Sequence, residues 1–324
     1  VATTESGKGV IAETDDLALG VCGNFGQDAA NAYIGAADLV LAIGTRLGPG
    51  DTANENPELI DPTRQTLVQI DVEPKNASWA FPCDTVVIGD AALVLDQISD
   101  EIDGIGTPSA DDLAARKALL DVTREREKFF LDPRDTADDG PIMPQRLLVE
   151  LHKAIPDDAF ITCDAGENRL FMTHYFQTKG PGTLLMPGIG AMGYAIPAAL
   201  ACKLVHPERQ AIAVTGDGGF GMAMNGVMTA RDEDIPIVVV VMNNSALGWV
   251  KHGQGNRTIA STFSEMNFAE MAKVMGCNGI RVEQPGDLPT ALAEALASNQ
   301  PTVVDVVTSF EPSFRDVTSP LTRG

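Results

Sequence analysis

Two polar residues at the ends of apolar runs carry the chemistry this sequence can do. Ala211 to Val214 leads into Gly216-Asp217-Gly218-Gly219, and Pro236 to Met242 leads into Asn243-Asn244, with a helical stretch between them. A right-handed strand–helix–strand crossover makes its two strands parallel, so both tips fall at the same sheet edge. In open α/β sheets that carboxyl edge is where ligands bind. There Asp217 offers a carboxylate oxygen and Asn244 an amide oxygen, both hard donors suited to Mg²⁺. Gly216 closes the first strand, and Gly218 and Gly219 have no Cβ, so their N–H groups can approach an anion where the next helix begins. The expected ligand is a metal-bound diphosphate. Either tip alone reads as an ordinary turn; the specificity lies in the pairing across one crossover.

Short apolar strands alternating with helices surround this unit and predict an α/β protein of two doubly wound domains with mainly parallel sheets. In the first, residues 1–103, Ala37 to Gly44, Thr66 to Asp71 and Thr85 to Asp90 read as buried parallel strands, and Ala91 to Asp103 as a helix. Gly44-Thr45-Arg46-Leu47-Gly48-Pro49-Gly50 reads as a strand-end loop rather than a nucleotide site. Residues 104–144 are rich in Gly, Pro and Asp and read as a linker with one helix, Asp111 to Phe130. The second domain, residues 145–324, starts with a helix at Gln145 to Ala154 signalled by Pro144. It continues with strands at Ala159 to Asp164 and Thr183 to Met186, a small-residue helix at Ala195 to Val205, and the crossover. The tail PSFRDVTSPLTRG is irregular and is expected to fold over a neighbouring surface.

Composition sets outer bounds. At 324 residues the chain can form two cores, and 44% hydrophobic content without a membrane-length apolar run argues for a soluble protein. A net charge of −22 argues against nucleic acid and anionic membrane as partners. Five scattered cysteines without a C-x-x-C fit a reducing cytoplasm and argue against zinc. The start, VATTESGKGV, reads as neither signal nor transit peptide, and the missing initiator Met suggests a fragment or a processed chain.

Gly-Asp-Gly followed by Asn-Asn at this spacing resembles the signature of thiamine-diphosphate enzymes, on the acetolactate synthase-like branch. The resemblance extends to Pro187-Gly188-Ile189-Gly190-Ala191-Met192-Gly193, whose Met192 stands twenty-five residues before Asp217. It implies that residues 1–103 are a Rossmann-like middle domain entered partway, and residues 145–324 a diphosphate- and Mg²⁺-binding domain. Met192 would wedge between the cofactor rings, backbone groups of Gly190 and Met192 would hold the aminopyrimidine, and Ala191 between them would also contact the cofactor. Asp217, Asn244 and the Ala246 carbonyl would bind Mg²⁺, and Gly216, Gly218, Gly219, Leu247 and Gly248 would line the cofactor site. At the tip of the Phe160 strand the family carries a Gly-Gln-His-like triplet against the diphosphate; Gly166-Glu167-Asn168 keeps its glycine, and Glu167 would repel a diphosphate.

The implied activity is decarboxylation of a 2-oxo acid such as pyruvate, with transfer of the remaining unit to an acceptor. Trp249 and Val250 would face the substrate, and Val250 replaces the catalytic Glu of pyruvate decarboxylases. Gly253 stands where synthases carry a substrate-selecting Trp, and Met224 to Ala230 resembles sulfoacetaldehyde acetyltransferases; other decarboxylases and lyases of the family are further alternatives. Of the run that flavin-using members carry, only Arg46 is kept, which argues against FAD. The acid on the pyrimidine nitrogen belongs to a pyrimidine-binding domain that this chain does not contain. A homodimer or homotetramer is therefore expected, and this chain alone would be inactive or serve only as a binding or assembly module. His174 and His252 read as surface or satisfied residues.

Overall fold

The computed structural model describes residues 1–106, 108–186 and 188–322. Pro187, at the head of the glycine–methionine run, and the last two residues of the tail lie outside them. The chain divides into two compact units. One comprises Val1–Gly7, Asp16–Phe129 and Thr318–Gly324; the other comprises Lys8–Asp15 and Phe130–Val317. The change of unit thus falls at Phe129–Phe130, within the stretch expected to be linker.

The first unit runs α1 (Asp28–Ala36), β1 (Leu39–Ile43), β2 (Thr66–Asp71), β3 (Thr85–Ile88), α2 (Ala91–Ile105) and α3 (Ala110–Arg126). Its sheet is all-parallel in the order β1-β2-β3. The third strand stops before Asp90 because that side chain caps α2, accepting from the N–H groups of Ala92 and Leu93. α3 belongs to this unit, not to a linker: Leu120 is buried in a cluster with Leu19, Ala29 and Ala30. The expectation of a buried first strand needs correction. Leu39, Leu41 and Ile43 are 52%, 41% and 37% exposed, because successive side chains of a strand alternate between faces and the described residues leave this face uncovered.

The second unit runs α4 (Pro144–Ala154), β4 (Phe160–Cys163), α5 (Glu167–Tyr175), β5 (Leu184–Leu185), α6 (Ala195–Val205), β6 (Ala211–Gly216), α7 (Asp217–Ala223), α8 (Asn225–Asp232), β7 (Val238–Asn243), α9 (Gly248–Gln254), α10 (Phe268–Val274), β8 (Asn278–Val282), α11 (Leu288–Ala297) and β9 (Thr302–Val307). All strand pairs are parallel, in the order β5-β4-β6-β7-β9-β8. β7 reads VVVVMN and is buried along its whole length, as a strand covered on both faces must be. Ala195 and Ala199 of α6 are fully buried in one cluster with Ala211 and Ala213 of β6, so the small residues let helix and sheet approach closely. No helix among the described residues is long and apolar enough to cross a membrane.

The order fixes where a site can form. From β4 the chain goes to β5 on one side and then to β6 on the other, so the winding reverses between β4 and β6. At such a switch point the connections leave in opposite directions and open a crevice beyond the strand ends.

Candidate functional site

A cavity opens at that crevice. From β4 and α5 it is walled by Ala165, Gly166, Glu167, Asn168 and Phe171. From the glycine turn come Gly216, Asp217, Gly218 and Gly219, and from the turn after β7 come Asn244, Ala246, Leu247, Gly248, Trp249 and Val250, with Met192 over them. Gly190 and Ala191 are not on its wall; Gly190 has φ +65° and lies beside Arg169, and the Ala191 carbonyl accepts from the Ala165 amide. Pro144, Ala165, Phe171, Met242 and Thr308 also line it, although the sequence assigned none of them a role in the site. Apolar or single hydroxyl residues carry no signal of their own; only their closeness to the strand tips could have suggested them.

Asp217 is 4% exposed and opens α7. Its Oδ1 accepts from the Gly218 amide at 2.7 Å and its Oδ2 from the Ala246 amide at 2.9 Å. Asn244 Oδ1 accepts from the same Ala246 amide at 3.2 Å. Burial pushes the Asp217 carboxyl up to about 6, with the surrounding backbone N–H groups offsetting part of the effect. A buried carboxylate held up in this way lacks a countercharge, which a cation between Asp217 and Asn244 would supply.

The turn carrying Asn244 is braced from outside. Ser245 takes a left-handed φ of +56°, Leu247 N donates to the Ser261 carbonyl at 3.0 Å, and Phe263 N donates to the Ser245 carbonyl at 2.8 Å. These bonds flank the Ala246–Thr262 bridge. In such a pair the backbone groups of Ala246 face away from Thr262, towards Asp217. The Asp217 carboxylate and the Asn244 amide oxygen thus meet at one backbone amide, and hard oxygens of this kind suit Mg²⁺. Among the described residues no group of three or more His, Cys, Asp or Glu offers an alternative metal cage.

The glycines are required for a different reason from the one expected. A Cβ on Gly219 would stand 2.4 Å from Asp164 Oδ2 and Thr215 Oγ1, and one on Gly218 would stand 2.6 Å from Leu247 Cδ2 and 3.0 Å from Met192 Cε. The space is taken by the protein's own groups, and the Gly218 amide is already donated to Asp217. Gly216 has only Asn168 Oδ1 near, at 3.6 Å, so its side of the cradle is open.

Met192 is set by a buried acid. Asp164 Oδ1 accepts from the amides of Tyr194 and Ala195 at 2.6 and 2.7 Å, capping α6, while its Oδ2 accepts from Thr215 Oγ1 at 2.6 Å. The loop bearing Met192 is thereby tied to the ends of β4 and β6. Asn168 donates Nδ2 to the Asp164 carbonyl at 2.9 Å and turns its Oδ1 towards Gly166 and Gly216.

Glu167 does not point a bare charge into the cavity. His252 Nδ1 lies 2.8 and 3.0 Å from its two carboxylate oxygens, and the Phe314 amide donates to Oε1 at 2.8 Å. Burial raises its carboxyl, and the Phe314 amide and His252 pull it back down. His252 is thus a satisfied residue, though satisfied by a group of the cavity wall. His174 sits at the far end of α5 beside Tyr175 and does not line the cavity.

Comparison with known proteins bears on this geometry. Residues 164–306 match the family model "Thiamine pyrophosphate enzyme, C-terminal TPP binding domain", and residues 1–98 match "Thiamine pyrophosphate enzyme, central domain". The chain is 32% identical over 322 residues to a probable acetolactate synthase large subunit of Methanocaldococcus jannaschii, covering 95% of this chain and 52% of the relative. It is 30% identical over 319 residues to the corresponding protein of Methanococcus aeolicus, covering 94% and 53%. It is also 31% identical over 330 residues to a sulfoacetaldehyde acetyltransferase of Castellaniella defragrans, covering 94% and 55%. The chain spans about half the length of the curated relatives it matches.

Proposed function

The chain belongs to the thiamine pyrophosphate enzymes, whose central and C-terminal domains it carries, and from that premise we propose that it serves thiamine diphosphate- and Mg²⁺-dependent decarboxylation and carboligation of a 2-oxo acid such as pyruvate. The observation that carries this reading is the meeting of Asp217 and Asn244 oxygens at the Ala246 amide, beside the side of the glycine turn that stays open at Gly216. Asp217, Asn244 and the Ala246 carbonyl would hold Mg²⁺, and the cation would bind the cofactor's diphosphate. Bound there, thiamine diphosphate supplies the nucleophilic carbon and the electron sink that loss of CO₂ from a 2-oxo acid requires.

The chain's own residues orient and shield. Met192 and Leu247 meet over Gly218 and form an apolar floor to the cavity. Trp249 and Val250 line its other side and would face the substrate. Val250 cannot move a proton, which favours transfer of the acyl unit to an acceptor over its release as an aldehyde. A homo-oligomer, with the pyrimidine-side acid coming from outside these residues, completes the reading.

A second acceptor is supported by the 31% identity to a sulfoacetaldehyde acetyltransferase, and by Gly253 at the position of the synthases' substrate-selecting Trp. Calorimetric titration of the chain with thiamine diphosphate, with and without Mg²⁺, tests the cofactor assignment; binding that ignores Mg²⁺ and survives Asp217→Ala would sink it. Assay of the full-length protein with pyruvate, with and without sulfoacetaldehyde plus phosphate, separates the two acceptors.

A further inference from the structure

α9 carries Trp249 and Val250, yet nothing in its composition fixes it in place. It is seven residues long, lacks a side-chain N-cap and buries none of its residues. Isolated helices of that length are unstable in water, so its position must come from outside contacts.

Those contacts centre on His252. Its Nε2 lies 3.1 Å from the Phe310 carbonyl, and its ring stacks on Phe310 at 4.0 Å and 16°. A carbonyl can only accept, so Nε2 carries a hydrogen. Nδ1 faces the Glu167 carboxylate, so a further proton is held between those two groups. Glu167 is 4% exposed and also accepts the Phe314 amide. One acid therefore ties together the first residue of α5, the middle of α9 and the segment that follows β9. Gly248 makes the reach possible, since a Cβ there would stand 2.4 Å from Glu167 Oε2. The nearby charges are Asp316 towards Glu167, Arg315 on the His252 carbonyl and Lys251 over the Phe310 ring.

We propose that Glu167 and His252 form a latch that positions α9 and sets the placement of Trp249 and Val250 at the substrate side of the cavity. They are positioning residues, held in the cavity wall at the point where the resemblance would place a diphosphate contact. The functional meaning of the latch rests on the cofactor reading above; the latch itself does not.

Tryptophan emission tests it. The chain has two tryptophans, so Trp79→Phe leaves Trp249 as the sole emitter. Trp249 is 40% exposed, with its ring 6.4 Å from that of Phe314. In the W79F chain, His252→Asn should red-shift the emission and steepen acrylamide quenching. Glu167→Gln should leave both unchanged, because Gln can donate Nε2 to Nδ1 and accept the Phe314 amide with Oε1. Unchanged emission and quenching in H252N would overturn the proposal, as would a shift in E167Q equal to that in H252N. If H252N does not fold, amide exchange of the unsubstituted chain decides: slow exchange of the Phe314 amide supports the latch, and exchange as fast as in an open loop overturns it. In turnover of a 2-oxo acid by the full-length protein, H252N should raise KM by about tenfold or more with a smaller effect on kcat. Failure of the cofactor reading would show separately, as loss of Mg²⁺-dependent thiamine diphosphate binding in the unsubstituted chain.

Discussion

Asp217 and Asn244 accept the same hydrogen: the Ala246 amide lies 2.9 Å from Asp217 Oδ2 and 3.2 Å from Asn244 Oδ1. Two oxygens from the ends of neighbouring strands are thereby gathered at one point, with the neighbouring strands in register from Ile212–Val238 to Gly216–Met242.

Asp217→Ala should cost thiamine diphosphate affinity in the presence of Mg²⁺ by more than the roughly tenfold to hundredfold seen for outer-shell partners of metal sites. Affinity without Mg²⁺ should hardly move. Calorimetric titration of both chains, with and without Mg²⁺, provides the comparison.

The same carboxylate predicts a pH dependence. Its folded value of about 6 lies above the ordinary 3.8, so between these values the folded chain holds a proton that the unfolded chain has released. Without Mg²⁺, this residue's contribution makes the chain less stable as pH rises through that window, by about 3 kcal/mol in all. Saturating Mg²⁺ should reverse the slope, because the metal needs the carboxylate deprotonated. Urea midpoints across the window, compared with those of D217A, isolate the contribution.

Gly219→Ala and Gly216→Ala should part company. The first places a Cβ 2.4 Å from Asp164 Oδ2 and Thr215 Oγ1, and should cost about 1–3 kcal/mol or more by overpacking. The second meets only Asn168 Oδ1 at 3.6 Å and should stay within about 0.5 kcal/mol. Equal thermal shifts would refute the packing account of these glycines.

Asp164→Ala removes a buried acceptor from the amides of Tyr194 and Ala195 and from the Thr215 hydroxyl, which keeps the Gly216 carbonyl at 3.1 Å. A loss of about 1–3 kcal/mol for each amide left unpaired is expected from denaturant unfolding. Because the cap ends the loop that carries Met192, the variant should also bind thiamine diphosphate more weakly at temperatures where it is folded.

Met192→Ala removes a half-buried side chain, so stability should fall by less than about 1.5 kcal/mol while cofactor affinity drops. Met192→Leu, which conserves volume, should restore most of the affinity. Titration of both variants with thiamine diphosphate and Mg²⁺ checks the pair.

Local pattern was enough to read the crossover from Ala211 to Asn244, the helix Ala195–Val205 and the parallel sheets, because strand and helix periodicities are written in consecutive residues. It missed the uncovered side of β1, because Leu39, Leu41 and Ile43 look the same whether or not another element lies over them. It also set α3 in a linker, because Leu120 and Thr123 are its buried residues and a helix exposed over most of its length gives little sign of attachment.

By itself, then, the sequence determined the strands, their direction and the residue types at their tips, all of which depend on short-range sterics and alternation. Only the tertiary structure decided what those residues touch. Glu167 and His252 are 85 residues apart, Gly219 is kept small by Asp164, and Met192 is fixed through a cap on the helix that follows it. Such contacts depend on the order in which strands are laid side by side, which brings distant segments to one edge, and no periodicity along the chain records it.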